Sequence, residues 1–313
     1  MLNGELITLT AGDYQAEVAS CGGMLVSLSR QGRDLIVPFD AEATLPSGWQ
    51  GKTMLPWPNR IAGSTYTRGG RTFQVACNEP ERGAANHGLV SWTDWEVTEV
   101  SADAASFETL LPASYGYPWA LLVTTTYRLH PVSGLSVTTQ AICVGAALAT
   151  VDAVGAPEDL ATGALAAAPY GVAAHPYLSR GVKIDDCVLT LPGAKVLETD
   201  AQLTPTELRD VAGTEQDWRA GKRIGATLAD NAFTGLPQGV WEIRLACAAG
   251  GPAVVLSADT PWAQIYTADH MGRRGLAVEP MTCPANAFNT GESLIELELG
   301  AEHTLAWNLR EED

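Results

Sequence analysis

The segment IELELGAEHTLAWNL, residues 295–309, alternates apolar and polar side chains on both sides of the turn-like tetrapeptide GAEH. Apolar residues occupy every second position before the turn and resume that spacing after it. This two-residue period is typical of a half-buried strand, whereas a helix would repeat every 3.6 residues. The segment therefore predicts two antiparallel strands joined by a hairpin turn.

Similar runs recur along the chain and predict an all-β fold of many antiparallel strands. They are short, rich in β-branched and aromatic residues and bounded by Gly, Pro, Ser or Asp, as at residues 95–100, 121–129 and 135–144. Further hairpins are predicted at RGGR (68–71), PVSG (131–134) and AGGP (249–252). Helical periodicity is scarce, and only residues 206–220 are expected to form a turn or two of helix.

The length and composition predict one large globular domain. The 313 residues are 46% hydrophobic and 18% charged, as in ordinary soluble proteins with a substantial core. Because all-β domains reach well past 200 residues as one unit, a single domain over residues 1–313 is expected. Residues 145–169 are Ala- and Gly-rich and weakly patterned, which predicts a long inserted connection or a small helical excursion. Strand signals continue on both sides, so this segment is not expected to link two domains.

The charge excludes several kinds of partner. A formal net charge of −17 opposes binding to nucleic acid phosphates and to an anionic membrane surface.

The first residues lack the basic start of a signal peptide, and no apolar run approaches the roughly 20 residues of a spanning helix. We expect a cytoplasmic monomer or homodimer that acts on a small molecule.

The cysteines do not indicate a metal site. All six stand singly, with no CxxC pair, which argues against structural zinc and favours buried free thiols.

Three short segments place ionisable side chains in turn-rich connections between strand-like runs: Asn86-His87-Gly88, His175-Pro176-Tyr177 and Glu279-Pro280. Glu279 follows a short apolar run. The prolines after it are expected to exclude a helix and a central position in a sheet, which would place Glu279 at a strand end. Two imidazoles and one carboxylate could together supply a general acid and a general base.

The five histidines divide into groups by their local context. His130 and His303 lie at predicted hairpin turns and are expected to face solvent. His270 lies in a polar loop before Glu279 and is compatible with the border of a site. His87 lies where a loop enters a strand, and the proline after His175 favours an extended backbone there.

Six motifs in collinear order resemble those of the aldose 1-epimerases, the galactose mutarotases. They are PWPNRIAGSTY (56–66), NHGL (86–89), YGYPWAL (115–121), HPYL (175–178), DNAFTGL (230–236) and the EP…PANAFNTGE stretch (279–292). The resemblance runs from about residue 20 to the C-terminus. It implies a β-supersandwich of antiparallel strands, a sugar cleft across one concave sheet, and interconversion of the α and β anomers of free aldoses such as glucose or galactose. It also implies that no cofactor is needed.

The resemblance also implies catalytic roles. Opening a cyclic hemiacetal takes a proton from the anomeric hydroxyl and gives one to the ring oxygen. By similarity, Glu279 is the general base at the C1 hydroxyl, His175 is the general acid at the ring oxygen, and His87 is a second donor. A carboxylate close to His175 is expected to raise the imidazole pKa and keep the ring protonated.

Substrate-binding roles follow in the same way. Arg60 and Asp230 match the sugar-binding arginine and aspartate of the family, and a guanidinium with a carboxylate can orient a ring of hydroxyls. Asn59 and Tyr177 lie in matching motifs and are predicted to line the cleft, while Trp119 is predicted to present an apolar face to the sugar. Many relatives carry an Asn shortly before the HPYL motif, where this chain is Ala- and Pro-rich, so the preferred sugar stays open.

Three alternatives remain at this point. A hexose-phosphate epimerase of the same fold would use a basic cluster, for which Arg68, Arg71 and Arg82 are candidates. A non-catalytic carbohydrate-binding protein would have no use for both a general acid and a general base. A His/His/Glu metalloenzyme would need three ligands that here lie far apart in sequence.

Overall fold

The computed structural model describes residues 2–147 and 167–312, and strands dominate it. In chain order they are β1 (Leu6–Ala11), β2 (Tyr14–Ala19), β3 (Met24–Arg30), β4 (Arg33–Asp34), β5 (Thr53–Met54), β6 (Arg60–Ile61), β7 (Thr65–Arg68), β8 (Arg71–Gln74), β9 (Ala85–Asn86), β10 (Glu96–Val100), β11 (Ala104–Leu111), β12 (Trp119–His130), β13 (Gly134–Ala146), β14 (Ala167–Tyr170), β15 (Ala173–Ala174), β16 (Tyr177–Leu178), β17 (Cys187–Thr190), β18 (Lys195–Thr199), β19 (Pro205–Asp210), β20 (Lys222–Arg223), β21 (Asp230–Thr234), β22 (Trp241–Cys247), β23 (Ala253–Ala258), β24 (Trp262–Tyr266), β25 (Leu276–Met281), β26 (Ile295–Glu298) and β27 (Glu302–Glu312).

Helical structure in the described residues is confined to single turns. The helix α1 covers Ala287–Thr290, and 3₁₀ turns cover Ser47–Trp49, Ala62–Ser64, Ile184–Asp186 and Asp269–Met271. Within residues 2–147 and 167–312, no helix has both the length and the apolar character needed to cross a bilayer. The all-β prediction is confirmed.

Two large antiparallel sheets carry most of the strands. The first has the order β10-β11-β12-β13-β27-β23-β22-β17-β20, and the second has the order β19-β18-β21-β24-β25-β15-β5, with β16 also pairing with β25. Strand β12 buries alternate side chains, as the two-residue period requires. One continuous cluster of buried side chains includes residues of both sheets, so the sheets share a core. Four smaller sheets complete the fold: β1 to β4, β6 with β9, β7 with β8, and β14 with β26.

Three of the four predicted hairpins are confirmed, and the one from residues 295–309 is wrong. Strands β7 and β8, β12 and β13, and β22 and β23 pair across the predicted turns. The chain also turns where Ala301 N donates to Glu298 O. However, β26 pairs with β14, and β27 lies between β13 and β23. Alternation predicts that a segment is a strand, but it does not identify the strand's partner.

The helix predicted at residues 206–220 is also wrong. Strand β19 covers its first part and pairs with β18 at the end of the second sheet, and turns follow. An edge strand of this kind exposes most of its side chains, so its sequence is polar and lacks the apolar alternation of a half-buried strand.

Glu279 lies inside a strand rather than at its end. Strand β25 continues through Pro280, which pairs with Ala263 of β24. Val278 N donates to Pro176 O on the other side, and strand alternation turns the Pro280 nitrogen to that same side. On that side the opposing strand is interrupted between β15 and β16. A proline is tolerated because its missing N–H faces this interruption.

Two further sequence predictions can be placed. His130 is exposed, as expected, but His303 lies within β27, where it is partly buried beside the ring of Tyr170 at 5.6 Å. The expectation that His303 faces solvent in a turn is therefore wrong. The predicted inserted connection at residues 145–169 falls largely outside the described residues.

Gly88 is predicted to be essential for the loop that carries His87. Its φ is +71°, and a Cβ added there would lie 2.0 Å from Leu55 O, the acceptor of the Leu89 N–H. Gly83 has a similar φ of +63° but open space around it. Gly83→Ala should lower the free energy of unfolding by about 1–2 kcal/mol, which is the cost of left-handed strain. Gly88→Ala should cost more, because the backbone must also move.

Urea denaturation of the two variants measures this difference. Equal losses for Gly88→Ala and Gly83→Ala would show that the close approach to Leu55 is not a constraint.

Candidate active site

A cavity of about 390 Å³ opens on the second sheet, near the small end of the range for small-molecule sites. Its lining is mostly polar, which suits a ligand rich in hydroxyl groups. The lining residues are Gly48, Trp49, Asn59, Arg60, Glu79, Glu81, Arg82, Asn86, His87, His175, Tyr177, Asp230, Tyr266, His270 and Glu279. Seven of the eight predicted site residues are therefore gathered in one cavity, and Trp119 is the exception.

Strand register brings Glu279 and His175 together. Strand β15 pairs Ala173 with Met281, and β16 pairs Tyr177 with Ala277. Continuing either register places His175 opposite Glu279. The neighbouring pair is hydrogen-bonded through Val278 N and Pro176 O, so the His175–Glu279 pair is the non-hydrogen-bonded type, in which side chains approach most closely. His175 Nε2 lies 3.4 Å from Glu279 Oε1.

Burial sets the protonation of this pair. It raises the pKa of Glu279 well above the ordinary value, and Asp230 raises it further while Arg60 opposes the shift. Burial also lowers the pKa of His175 to about 3. The expectation that the carboxylate keeps His175 protonated is therefore wrong, because the cost of burying a charged imidazole is larger. Burial thus shifts the pKa values of both groups toward their neutral forms.

Glu279 has a free position for a ligand. Its Oε2 atom is buried and, among the described residues, accepts no hydrogen bond. A buried polar atom without a partner is costly, and a ligand hydroxyl donating to Oε2 would remove that cost.

His87 is held by a reciprocal contact with Asn59. Asn59 N donates to His87 Nδ1 at 3.2 Å, and His87 N donates to Asn59 O at 2.9 Å. Burial, together with His175 and Arg60, lowers the pKa of His87 well below its ordinary value. A neutral ring whose Nδ1 accepts a hydrogen bond must carry its proton on Nε2, so His87 can donate to a ligand.

Arg60 is oriented by an acid that the motifs did not identify. Its guanidinium donates to both carboxylate oxygens of Glu79, at 2.5 and 2.8 Å, and Nη1 donates to Asn59 Oδ1 at 3.1 Å. The side chain is only 13% exposed. Arg60 is therefore a largely buried member of the cavity wall rather than a surface residue. Two of its five N–H donors remain for a ligand.

Asp230 is positioned by a buried glutamine. Gln264 Nε2 donates to Asp230 Oδ1 at 2.7 Å from the neighbouring strand β24. Burial raises the pKa of Asp230, while Arg60 and the Gln264 hydrogen bond lower it. Gln264 also lies opposite Glu279 in the ladder between β24 and β25. One glutamine therefore lies between the two carboxyl groups.

Trp119 does not lie in the cavity, which corrects the prediction that it contacts the sugar. It is fully buried in the shared core against the rings of Tyr117 and Phe73. Trp57 and Trp262 are buried as well. In the motif YGYPWAL, Trp119 begins β12, and its side chain is one of the strand's buried alternate positions.

Trp49 is instead the tryptophan on the cavity wall. Its ring lies 5.0 Å from that of His87. Its φ is +55°, an uncommon conformation for a bulky residue. Tyr177 holds this turn, because its hydroxyl donates to Gly48 O at 2.8 Å while its ring stacks on His175 at 4.9 Å.

Several residues that line the cavity or hold its wall had no signal in the sequence. Trp49, Glu79 and Gln264 lie in no motif that indicates chemistry, and their contacts arise only in the folded chain. His270, whose loop is compatible with the border of a site, lines the cavity, with Nδ1 3.0 Å from the Tyr266 hydroxyl.

The basic cluster of the phosphate-epimerase alternative does not form. Arg68 pairs with Glu296, and neither Arg68 nor Arg71 lines the cavity. Arg82 does, but it lies 3.5 Å from Glu79. In the described ranges, no group of three or more His, Cys, Asp and Glu side chains is arranged to hold a metal ion, so the metalloenzyme alternative gains no support.

The chain is similar to known proteins along almost its whole length. A family model described as Aldose 1-epimerase matches residues 5–151 and 160–310. The uncharacterized protein YihR of Escherichia coli K12 is 36% identical over 308 residues, which cover 98% of this chain and 93% of the relative.

Solved structures show the same fold at lower identity. The GalM/aldose epimerase homologue of C. elegans has a TM-score of 0.82 at 19% identity, covering 99% of both chains. A galactose 1-epimerase of Lactobacillus acidophilus NCFM has a TM-score of 0.78 at 17% identity, covering 98% of this chain and 95% of that one. The prediction of a galactose mutarotase-like fold is confirmed.

The lowered histidine pKa values predict that activity is retained at mildly acidic pH. His87, His175 and His270 all have pKa values below 6.5, chiefly because of burial, so none should gain a proton near that pH. His175 should therefore stay neutral on acidification until the pH approaches its own pKa. We expect that kcat/KM for an aldose does not fall between pH 7.0 and 5.5, after subtraction of the buffer rate.

An exposed imidazole base with a pKa of about 6.5 would instead lose activity about eightfold over that interval. A fall of that size would show that a residue of the cavity titrates within this interval.

Proposed function

Because the chain belongs to the aldose 1-epimerase family, we propose that it interconverts the α and β anomers of a free aldose such as glucose or galactose. The observation that carries this proposal is the Glu279–His175 pair, 3.4 Å apart in a polar cavity. Anomer interconversion needs one proton acceptor and one proton donor within reach of the same ring, and the pair offers both.

The reaction proceeds by ring opening and reclosure. Glu279 removes the proton of the C1 hydroxyl while His175 gives a proton to the ring oxygen, so the bond from C1 to the ring oxygen breaks and C1 becomes an aldehyde. Rotation about C1–C2 presents the other face, and the same groups run the steps in reverse. No electrons or protons are gained or lost overall, so this chemistry requires no cofactor.

A proton must pass from Glu279 to His175 before this step. Burial favours the proton on Glu279, whereas the assigned roles need it on His175. The two atoms are already 3.4 Å apart, and a small approach allows direct transfer. A bound sugar favours the charged arrangement, because its C1 hydroxyl donates to the carboxylate and its ring oxygen accepts from the imidazolium. His87 adds a second donor at the ring oxygen.

Two fixed groups orient the sugar in this scheme. Arg60 presents its remaining donors and Asp230 accepts from ring hydroxyls, and both are already held by Glu79 and Gln264. Because these contacts exist before the sugar arrives, little side-chain freedom is lost on binding.

The charge of the cavity favours a neutral sugar. Its lining contains two arginines and four acids, and one of those arginines, Arg60, donates to Glu79 through two of its three nitrogens. Four carboxyl groups therefore face only two guanidinium groups. A phosphate group would therefore meet net repulsion, as it would from the whole chain at −17.

Polarimetry on freshly dissolved α-glucose or α-galactose tests the reaction. We expect the protein to accelerate the approach to equilibrium over buffer, and Glu279→Gln to reduce the acceleration by at least about 10²-fold, since the amide cannot accept the proton. Glu99→Gln is the matched control, because Glu99 is exposed on the edge strand β10 of the other sheet and should keep full activity.

If the Glu279→Gln variant folds and still accelerates equilibration as much as the wild type does, Glu279 has no part in the mechanism. A wild-type protein that binds aldoses without accelerating equilibration would support the carbohydrate-binding alternative.

A panel of free and phosphorylated sugars tests the substrate class. We expect kcat/KM for the better free hexose to exceed that for its 6-phosphate by about tenfold or more, the ratio that about 1.4 kcal/mol of repulsion produces. Each sugar is measured against its own buffer rate. A preference for the phosphate would favour the hexose-phosphate epimerase instead.

A further inference from the structure

Two free cysteines face each other across neighbouring strands of the first sheet. Cys187 begins β17, Cys247 ends β22, and the register places them directly opposite. The site described above uses neither of them, and the cavity lies on the other large sheet and its loops.

The hydrogen bonds beside this pair identify its type. Ala248 N donates to Asp186 O at 2.8 Å, so the adjoining pair, Asp186 and Ala248, is hydrogen-bonded. Pairs alternate along an antiparallel ladder, which makes Cys187–Cys247 a non-hydrogen-bonded pair. The carbonyl of Cys187 supports this, because it accepts from Ile224 N on the opposite side of β17.

Non-hydrogen-bonded pairs have the geometry that a disulfide needs. Their Cα atoms are typically about 4.5 Å apart, within the range of roughly 4.4–6.8 Å observed for disulfides. Opposed residues also direct their side chains to the same face of the sheet. No change of register or backbone path is therefore needed to join the two sulfur atoms.

The two thiols differ in accessibility, which gives an order of events. Cys187 is fully buried in the core, whereas Cys247 is half-buried at the end of its strand. A small dissolved disulfide can reach Cys247 first. Burial, with the neighbouring Cys247, raises the pKa of Cys187 to about 11, so the inner thiol reacts second and slowly near neutral pH.

We propose that Cys187 and Cys247 form a reversible cross-strand disulfide by exchange with a small-molecule disulfide such as oxidised glutathione. The Cys247 thiolate attacks one glutathione sulfur, which forms a mixed disulfide and releases one glutathione thiolate. Cys187 then loses its proton and attacks the Cys247 sulfur, which releases the second glutathione. Two protein thiols are oxidised and one glutathione disulfide is reduced to two thiols.

The bond stabilises the fold through the chain segment that it closes. This segment runs from β17 to β22 and includes β21, the strand that begins with Asp230. Closing this segment restricts the unfolded chain, whereas the two strands of the folded protein need little rearrangement to form the bond. The oxidised protein should therefore unfold at a higher temperature, while the turnover of sugar changes little.

Peptide mapping after treatment with oxidised glutathione tests the proposal. After alkylation of the remaining thiols, tryptic cleavage isolates Cys187 in residues 184–195 and Cys247 in residues 245–273. We expect these two peptides to be linked, with the loss of two hydrogens, and the link to disappear after reduction. Cys247→Ser should abolish it, whereas Cys77→Ser, which alters an exposed thiol outside the pair, should leave it intact.

Thermal unfolding supplies a second measurement. Oxidised wild-type protein should melt on the order of 5 °C higher than reduced protein, and Cys247→Ser should show no such difference. A stable glutathione adduct on Cys247 without the linked peptides would overturn the proposal. A linked pair with an unchanged melting temperature would overturn its role in stability.

Discussion

The burial of Glu279 opposite His175 is the constraint on which the site depends. Two separate charges in this position would be costly to remove from water, and burial accordingly shifts the pKa values of both groups toward their neutral forms. The backbone around the pair is already satisfied, since His175 N donates to Lys52 O and Gly51 N donates to His175 O. The side chains therefore stay aimed at the cavity without help from a ligand.

The groups around this pair are fixed by partners of their own. Glu79 holds Arg60, and Gln264 holds Asp230. Asn59 and His87 hold each other through two hydrogen bonds, although both have positive φ angles, which are uncommon outside glycine. These contacts offset the local backbone strain and orient the donors and acceptors before a sugar arrives. Groups that are already oriented can stabilise a transition state without first having to reorganise.

The sequence predicted features that are decided locally and missed those decided by distant partners. Alternation identified the strands, and tight turns identified three hairpins. The turn at residues 300–303 failed because β26 and β27 find partners elsewhere in the chain. In the same way, collinear motifs identified most of the cavity wall, but they could not distinguish the buried Trp119 from Trp49, which no motif contains.

The prolines beside the acid and the base lie where the hydrogen-bond ladder of the second sheet is interrupted. Pro280 and Pro176 lie on either side of the His175–Glu279 pair, at positions whose N–H groups would otherwise face the opposing strand. Without those donors the ladder weakens there, and β15 and β16 are separate strands with one continuous register. That register, rather than any contact between the side chains, places an imidazole opposite a carboxyl group. A sequence rule that excludes proline from central strands fails at this point because the missing hydrogen bonds coincide with the site.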